Sequence, residues 1–475
     1  MPKVRCGNDP AVCALVAGAF LAALSTAAAP EPGGGVYEKS AEIGVVAQLS
    51  RTVGEASVLE SRKAKEPSDQ RLARSFAPPN CATSEISGGL TTAAARPLDW
   101  SIRMADSELE RLGDRLAWKP GGRAKWDYTT GLFTFTLLQL HERVKEARYL
   151  QFAKDTVGSF ITADGRISGY NSEDYSLDNI NPGRTLLELY RMTKELRYKE
   201  VAGLLRRQLA AQPRTSEGGF WHKKRYPDQM WLDGLYMAAP FYAEYAALFQ
   251  EPASTFDDVA KQIRLVAKHT YDPGTGLFFH GWDEKKQQDW ASKTTGTSSN
   301  FWGRAIGWYG MALVDVLDWM PTNNPARPEI IGTLRKLCAG ILKYQDPESG
   351  IWYQIVDQGG RQGNYLEASA SCMFVYVLAK SLNHRYLTRD VEPAVLKGYN
   401  GIITRLIRED KERQVSLTQC CLVAGLGYGR DGSYEYYIKE PIGDNDLKGV
   451  GPFILAGLEV HRLLGLPDPA PAGGQ

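Results

Sequence analysis

The chain has 475 residues, of which 43% are hydrophobic and 23% are charged. This composition excludes a fibrous or wholly disordered protein and favours a globular fold with a sizeable core. Lys plus Arg total 56 against 55 for Asp plus Glu, so there is no global basic field to attract nucleic acid. Any recognition through charge must therefore be local.

The first residues predict an export signal. Lys3 and Arg5 are basic, an apolar segment follows at residues 11–24, and the small residues STAAA come next. This order is typical of a cleaved signal peptide over residues 1–29, after which no stable membrane insertion is expected. A single membrane anchor is the alternative, because the apolar run nearly reaches spanning length. Both interpretations predict a periplasmic or extracellular location.

Three further segments differ in composition. Residues 30–96 are rich in Gly, Pro, Ala, Ser and charge, which predicts a linker or a loosely ordered arm. Residues 97–466 repeatedly place apolar residues three and four apart, as in SELERLGDRLAW and PEIIGTLRKLCAGILKYQ, and predict a mostly helical domain. Residues 467–475, PDPAPAGGQ, predict a disordered tail.

The seven cysteines do not form a recognisable framework. Cys6 and Cys13 lie in the predicted signal, and the remaining five include the adjacent pair Cys420 and Cys421. This odd, sparse set lacks the spacing of a disulfide framework, a metal site or a CxxC redox motif, and predicts buried thiols. The chain also lacks HExxH, GxSxG and Walker motifs, which disfavours a metallohydrolase, a serine hydrolase or a nucleotide-binding protein.

An internal repeat indicates the architecture. Six times a polar or charged residue precedes small residues and an apolar, aromatic helix, and a more charged helix lies between most of these segments. The six marker residues are Asp127, Asp178, Asp233, Arg304, Glu367 and Lys448. Six helical hairpins can close into a ring with the apolar helices inside, so we expect an all-α (α/α)6 barrel whose marker residues share one mouth. An open helical solenoid is the alternative.

One stretch, YPDQMWLDGLYM, raises a question about a single carboxylate. Asp233 opens an apolar helical run, and Asp is among the best helix N-caps. Asp178 occupies the corresponding point of the preceding repeat, and a cationic cluster that begins at His222 and Lys223 lies just upstream. A carboxylate pair near cations and aromatic residues suits acid and base chemistry on an anionic sugar. Asp233 is thus an N-cap, a reacting group or both, and the role of Asp228 stays open.

Several motifs together resemble a known enzyme family. PRTSEGGFWHKKRYPDQMWLDGLYMAAPFYAEYA, KWDYTTG, LDNINPGRTLLELY, SSNFWGRAIGWYGMALVDVL and KGVGPFILAGLE are similar to the unsaturated rhamnogalacturonyl hydrolases, glycoside hydrolase family 105, which is related to family 88. The resemblance extends from Trp100 to Leu466. It implies an (α/α)6 barrel that removes a 4,5-unsaturated uronic acid from the nonreducing end of lyase-generated oligosaccharides, without a metal or organic cofactor.

The resemblance also implies roles for individual residues. Asp233 matches the general acid and base that protonates C4 before water adds at C5, and Asp178 matches a second essential carboxylate. The implied substrate-binding residues are Trp126, Tyr128, His222, Lys223, His280, Trp302, Arg304 and Trp308. Without the resemblance, tryptophans at helical spacing are equally typical of a core, and Asp127 is either a cap or an acceptor for a sugar hydroxyl.

Two expectations complete the sequence-based interpretation. Burial among apolar residues and the charge of Asp178 are expected to raise the pKa of Asp233, so that it holds a proton. The expected substrate is a short product of rhamnogalacturonan lyase, and a monomer is expected to act on it. Unsaturated uronyl units from ulvan, glycosaminoglycan or arabinogalactan are alternatives, and a noncatalytic oligosaccharide-binding protein is a rival of another class.

Overall fold

Helices dominate residues 96–116 and 124–468, which are the part of the chain that the computed structural model describes. All of these residues lie within one unit, Cys81–Gln475. The thirteen α-helices of the described residues are α1 (Pro97–Leu112), α2 (Tyr128–Val144), α3 (Ala147–Gly158), α4 (Gly183–Thr193), α5 (Leu196–Ala211), α6 (Leu232–Leu248), α7 (Ala253–Thr270), α8 (Gly303–Trp319), α9 (Arg327–Lys343), α10 (Ala368–Asn383), α11 (Glu392–Leu406), α12 (Tyr434–Lys439) and α13 (Leu447–Leu463).

Six of these helices form a closed inner ring. Each packs on the next in the order α2, α4, α6, α8, α10 and α13, and α13 returns to pack on α2. Helices α3, α5, α7, α9 and α11 each pack outside the inner helix that precedes them, while α1 pairs with α13. The predicted (α/α)6 barrel is therefore confirmed, and the open solenoid is wrong because the first and last inner helices meet.

Apolar patterning explains which helix of each pair lies inside. In α8 every residue from Gly303 to Leu317 is buried, whereas α9 buries only scattered positions such as Ile330, Leu334 and Leu337. An inner helix is enclosed on all sides, and an outer helix needs only one apolar stripe. At Gly307 a Cβ atom would lie 2.7 Å from Sδ of Met373, so glycine is needed for α8 and α10 to approach closely.

Short antiparallel ribbons connect the helices at the loops. They pair β1 (Gln229–Trp231) with β2 (Gly281–Asp283), β3 (Ile407–Glu409) with β4 (Val415–Leu417), and β5 (Cys420–Cys421) with β6 (Ile442–Gly443). The register of the first ribbon places Trp231 opposite Gly281. This pairing matters for function because it joins two segments some fifty residues apart, immediately before α6 begins.

Two sequence predictions concern residues outside or at the edge of this description. The export signal and the arm lie outside the described residues except for Arg96, as does most of the tail, so these boundaries stay predictions. Within the described part of the chain, no helix is both long and apolar enough to span a bilayer.

The prediction of buried thiols is confirmed for the four described cysteines. Cys338, Cys372, Cys420 and Cys421 are all free and buried. Burial raises the pKa of each of these thiols, so none carries the thiolate character of a reactive cysteine. They are part of the core.

Candidate active site

The predicted marker residues meet at the mouth formed by the starts of the inner helices. Asp127 is the N-cap of α2, and its carboxylate accepts hydrogen bonds from the backbone N–H groups of Thr129 and Thr130. Burial raises the pKa of the neighbouring Tyr128 hydroxyl, and charged groups act on it as well. Those groups are Asp178, Arg304, Asp127 and Asp233. Four different hairpins thus contribute to the surroundings of one tyrosine.

Asp233 lies at this mouth but is not a helix cap. Helix α6 begins at Leu232, and its N-cap is Trp231, whose extended backbone continues strand β1. The Asp233 carboxylate instead points toward an imidazole, with Oδ2 3.0 Å from Nε2 of His280. The cap interpretation is therefore wrong, because the β1–β2 ribbon extends the chain up to Trp231 and moves the helix start one residue ahead of the aspartate.

His280 connects Asp233 to a tyrosine of the C-terminal segment. The His280 side chain is fully buried, and its Nδ1 lies 2.7 Å from the hydroxyl oxygen of Tyr437. The ring of Trp302 lies 4.8 Å from the imidazole, measured between centroids. Tyr437, Trp302 and the ribbon thus hold His280 so that its second nitrogen faces the carboxylate. The sequence offered no motif that indicated Tyr437, which lies in the short helix α12.

This imidazole reverses the expected ionisation of Asp233. Burial raises the pKa of Asp233, but His280, His222 and a backbone N–H together lower it by more, and the resulting pKa lies below the ordinary value of 3.8. The expectation of a raised pKa is therefore wrong. Asp233 Oδ2 and His280 Nε2 are close without being aligned in a hydrogen bond. Asp233 and His280 are therefore the groups at this mouth that are placed for proton transfer.

A second carboxylate, Asp178, is paired with a cation. Its Oδ2 contacts the ammonium group of Lys223, and its Oδ1 lies 3.5 Å from Nε2 of His222. Burial lowers the pKa of Lys223, but Asp178 raises it by more, so Lys223 is firmly cationic. Burial lowers the pKa of His222 to about 4, so this ring is neutral near pH 7 rather than part of the cationic cluster.

The glycine after Asp233 makes room for His222. A Cβ atom at Gly234 would lie 2.9 Å from Nδ1 of His222. The imidazole also stacks on Trp231, with centroids 4.5 Å apart and planes 17° from parallel. The glycine that follows Asp233 in YPDQMWLDGLYM therefore lets His222 and Asp178 pack against the start of α6.

The four predicted aromatic residues occupy different depths. Trp308 stacks on Tyr236 at 4.8 Å and meets Tyr128 edge-on at 6.0 Å, so it forms part of the floor beneath the mouth. Trp126 is only 2% exposed and packs on Phe160. Its indole donates a hydrogen bond to the backbone carbonyl of Asn179, next to Asp178. Substrate contacts of Trp126, Tyr128, Trp302 and Trp308 stay predictions.

Arg304 is fully enclosed at the start of α8. Its Nε donates to the Ser369 hydroxyl at 2.8 Å, and its Nη2 donates to the carbonyl of Cys421 and lies 3.7 Å from the Glu367 carboxylate. No described residue accepts a hydrogen bond from Nη1. One edge of the guanidinium fork is therefore occupied by the protein. A contact between Arg304 and a substrate carboxylate stays a prediction, with Nη1 as the free donor.

A closed barrel of helical hairpins with carboxylates, an imidazole and aromatic rings at one mouth defines a carbohydrate-active enzyme of the (α/α)6 class. The chain belongs to Glycosyl Hydrolase Family 88, whose family model matches residues 100–464. Its fold and sequence are similar to those of a family 105 glycoside hydrolase from C. acetobutylicum ATCC 824, with 41% identity and a TM-score of 0.73. That similarity covers 76% of this chain and 99% of the other.

Two relatives are known from sequence. Protein Atu3128 of Agrobacterium fabrum is 37% identical over 229 residues, covering 46% of this chain and 96% of the relative. The unsaturated rhamnogalacturonyl hydrolase YesR of Bacillus subtilis is 29% identical over 262 residues, covering 54% of this chain and 71% of the relative. The predicted family is confirmed, and the chain is a glycosidase of the unsaturated uronyl class.

Proposed function

We propose that the enzyme removes a 4,5-unsaturated galacturonate from the nonreducing end of oligosaccharides released by a rhamnogalacturonan lyase. The likeness to YesR, an unsaturated rhamnogalacturonyl hydrolase, supports this choice of sugar. Ulvan, glycosaminoglycan and arabinogalactan fragments carry the same unsaturated ring, so they are the alternatives against which the sugar must be tested. The noncatalytic binding protein is disfavoured by membership in a hydrolase family.

The observation that carries the proposal is the contact between Asp233 and His280. A vinyl ether is hydrated when a proton reaches C4 and water adds to the cation that develops at C5. The Asp233–His280 pair, 3.0 Å apart at the mouth, can deliver that proton and then accept one from the attacking water. The hemiketal formed at C5 opens, and collapse of the resulting hemiacetal at C1 expels the leaving sugar.

The remaining residues would hold and shape the substrate. Asp178, oriented by Lys223 and the neutral His222, offers carboxylate oxygens to a sugar hydroxyl or to the attacking water. Tyr128, which is partly exposed and lies near Asp233, would offer an aromatic face to a sugar ring, and the buried Trp308 supports it from below. No step of this mechanism requires a metal or an organic cofactor.

The test uses a matched pair of substrates. The unsaturated galacturonyl–rhamnose disaccharide is incubated with the enzyme, and loss of the ultraviolet absorbance of the double bond is followed together with release of rhamnose. The same disaccharide with a saturated nonreducing residue is the control, since hydration needs the double bond and an ordinary glycosidase does not. We expect turnover of the unsaturated compound alone. Cleavage of both would replace hydration by attack at the anomeric carbon, and binding without turnover would favour the noncatalytic alternative.

A panel of unsaturated disaccharides compared by kcat/KM tests the choice of sugar. We expect the galacturonyl–rhamnose compound to give the highest value, and a higher value for an ulvan or glycosaminoglycan disaccharide would overturn this part of the proposal. Export and a monomeric state belong to the same proposal. The order of basic, apolar and small residues at the N-terminus supports export. Cell fractionation and size-exclusion chromatography test these two points.

A further inference from the structure

A basic cavity opens beside the Asp178–Lys223 pair. It has a volume of about 630 Å³ and is lined by Lys125, Asp174, Ser176, Asn179, Lys223, Lys224 and Arg225. This volume falls within the range of about 300–1,000 Å³ that is typical of small-molecule sites. Lys223 lines this cavity and also pairs with Asp178 at the catalytic mouth, so the two adjoin.

The cations of this cavity exceed what the protein itself neutralises. Lys223 is paired with Asp178, but Lys125, Lys224 and Arg225 form no ion pair with any other described residue. The one acidic residue in the lining, Asp174, accepts a hydrogen bond from the Asn171 amide. In a chain whose net charge is only +1, three unpaired cations around one cavity form a local field that attracts anions.

Two of these cations are held in place by neighbouring aromatic rings. The guanidinium of Arg225 lies 4.3 Å from the ring centroid of Tyr428, whose hydroxyl donates to the Arg225 carbonyl at 3.0 Å. The ammonium group of Lys224 lies 5.7 Å from the ring centroid of Tyr175. Such contacts restrict long side chains and lower the entropy cost of binding an anion between them.

We infer that Lys125, Lys224 and Arg225 form a subsite for an anionic substituent on the sugars that follow the scissile bond. The inference rests on the proposed function, in which the unsaturated residue brings a single carboxylate. Three free cations beyond the Lys223–Asp178 pair exceed the need of that carboxylate, so a second negative charge on the substrate fits them. The substituent is a carboxylate of a second uronic acid or a sulfate ester, which share the same charge and acceptor geometry.

The experiment compares three unsaturated substrates with four proteins. The substrates are a disaccharide with a neutral leaving sugar, the same disaccharide carrying a sulfate ester, and a tetrasaccharide containing a second uronate. The proteins are the unaltered enzyme, Lys125→Ala, Lys224→Ala and the matched control Lys199→Ala, an exposed lysine in the first turn of the outer helix α5. Values of kcat and KM are measured at low and at high salt.

We expect Lys125→Ala and Lys224→Ala to raise KM about two- to fivefold for a charged substrate, because exposed ion pairs contribute modestly. KM for the disaccharide with a neutral leaving sugar should be unaffected, as should kcat and every value of the control Lys199→Ala, and the effect should weaken at high salt. The substrate that responds, sulfated or uronic, identifies the source of the charge. An equal loss on all three substrates would assign these lysines to the carboxylate of the unsaturated residue and overturn the inference, as would no loss at all.

Failure of the subsite is separable from failure of the proposed function. Titration calorimetry of Asp233→Asn measures binding without turnover. The two ligands are the tetrasaccharide with a second uronate and the disaccharide with a neutral leaving sugar. Tighter binding of the tetrasaccharide that disappears on adding Lys224→Ala supports the subsite even if no substrate is hydrolysed. Equal binding before and after that change contradicts it, whatever the catalytic result.

Discussion

The two ends of the barrel both bury carboxylates among cations, and Asp315 at one end has more hydrogen-bond partners than Asp233 at the other. Near the ends of the inner helices, Asp315 receives hydrogen bonds from Arg184 at 2.9 Å and from Lys380 and Tyr376 at 2.7 Å each. At the mouth, Asp233 has one imidazole at 3.0 Å, and the two facing atoms are not aligned in a hydrogen bond.

The cavity at the Asp315 end shows that volume and charge alone do not mark an active site. That cavity measures about 360 Å³, and acids and bases from five inner helices line it. Most of them are paired within the protein, as Arg191 is with Glu188 and Lys380 with Asp318. A saturated network resists change and stabilises a single packing arrangement, whereas an incompletely satisfied carboxylate is free to exchange a proton with a ligand.

The comparison between Asp315 and Asp233 predicts that the largest effect on turnover comes from changing Asp233 at the mouth. Replacing Asp233 by Asn removes the carboxylate that exchanges protons while keeping the shape, so kcat should fall about 100- to 10,000-fold while the substrate still binds. Because the carboxylate has few partners, the free energy of unfolding should change by only about 1 kcal/mol. Kinetics and urea unfolding measure the two quantities on the same preparation.

Asp228→Asn is the matched control for that variant. It removes the same charge five residues earlier, from a residue with positive φ, a backbone conformation that asparagine tolerates. Turnover of this control should stay within about twofold of the unaltered enzyme, since Asp228 has no contact with His280. Near-normal turnover of Asp233→Asn would remove Asp233 from catalysis, and a large loss in Asp228→Asn would bring that residue into the site.

At the opposite end of the barrel, a substitution of Asp315 should lower the free energy of unfolding. Asp315→Asn leaves the buried Arg184 without its carboxylate partner at 2.9 Å, which costs about 3–5 kcal/mol when a buried pair is broken, while Lys380 keeps its pair with Asp318. Asp318→Asn is the control, because that carboxylate is 30% exposed and should cost less than about 1 kcal/mol. A loss below about 1 kcal/mol for Asp315→Asn would show that saturation of this carboxylate contributes little.

A smaller effect on kcat is expected at Tyr437, which contacts His280 through the ring nitrogen that does not face Asp233. Tyr437→Phe removes the hydroxyl 2.7 Å from His280 Nδ1 and leaves the buried ring in place. Loss of a hydrogen bond of about 0.5–1.5 kcal/mol corresponds to a fall in kcat of about two- to tenfold, with KM unchanged, if Tyr437 acts by orienting His280. The pH profile of kcat should also change, because Tyr437 orients the imidazole that lowers the pKa of Asp233.

Tyr434→Phe in the same short helix provides the control. The Tyr434 hydroxyl bonds only to the backbone carbonyls of Arg361 and Gln362, so this change should reduce stability slightly and leave kcat and its pH profile unaltered. Equal kinetic effects of the two variants would mean that helix α12 acts through general packing and that Tyr437 has no specific role.

The barrel could be predicted from the sequence because its repeat is local. Each marker residue stands next to its own apolar helix, and six such units leave few ways to bury their apolar faces. The placement of Asp178 and Asp233 at one mouth follows from that ring. The burial of Trp126 could not be predicted from the sequence. An aromatic residue at a helix start has the same spacing whether it faces the core or the mouth.

The chemistry of Asp233 depends on pairing that no local pattern records. The backbone N–H of Leu232 donates to the His280 carbonyl at 2.9 Å, and this bond belongs to a ribbon between distant segments. The apolar neighbours of Asp233 were visible in the sequence and indicated a raised pKa, whereas the contact with His280, which lowers it, was not. A pKa is set by whichever of burial and nearby charge is stronger, and only the fold brings the charge into place.

The smallest predicted effect concerns Glu244, which is fully buried beside the satisfied network. Both of its carboxylate oxygens lack hydrogen-bond partners, and the nearest cation atom, Nε of Arg184, lies 4.0 Å away. Burial raises the pKa of Glu244 well above 4.5, and Glu188 adds to this, so the native carboxyl holds its proton to a higher pH than the unfolded one does. The native state therefore binds more protons, and its stability falls as the pH rises above about 4.5.

Glu244→Gln supplies a side chain of the same shape that is neutral in both states. Urea unfolding near pH 7 should show equal or slightly greater stability, by up to about 1 kcal/mol, and a weaker loss of stability above pH 5 than in the unaltered enzyme. Destabilisation by more than about 1 kcal/mol would mean that Glu244 is ionised and pairs with Arg184. In that case the opposite end would be balanced by two buried carboxylates, Asp315 and Glu244, and its contrast with the mouth would widen.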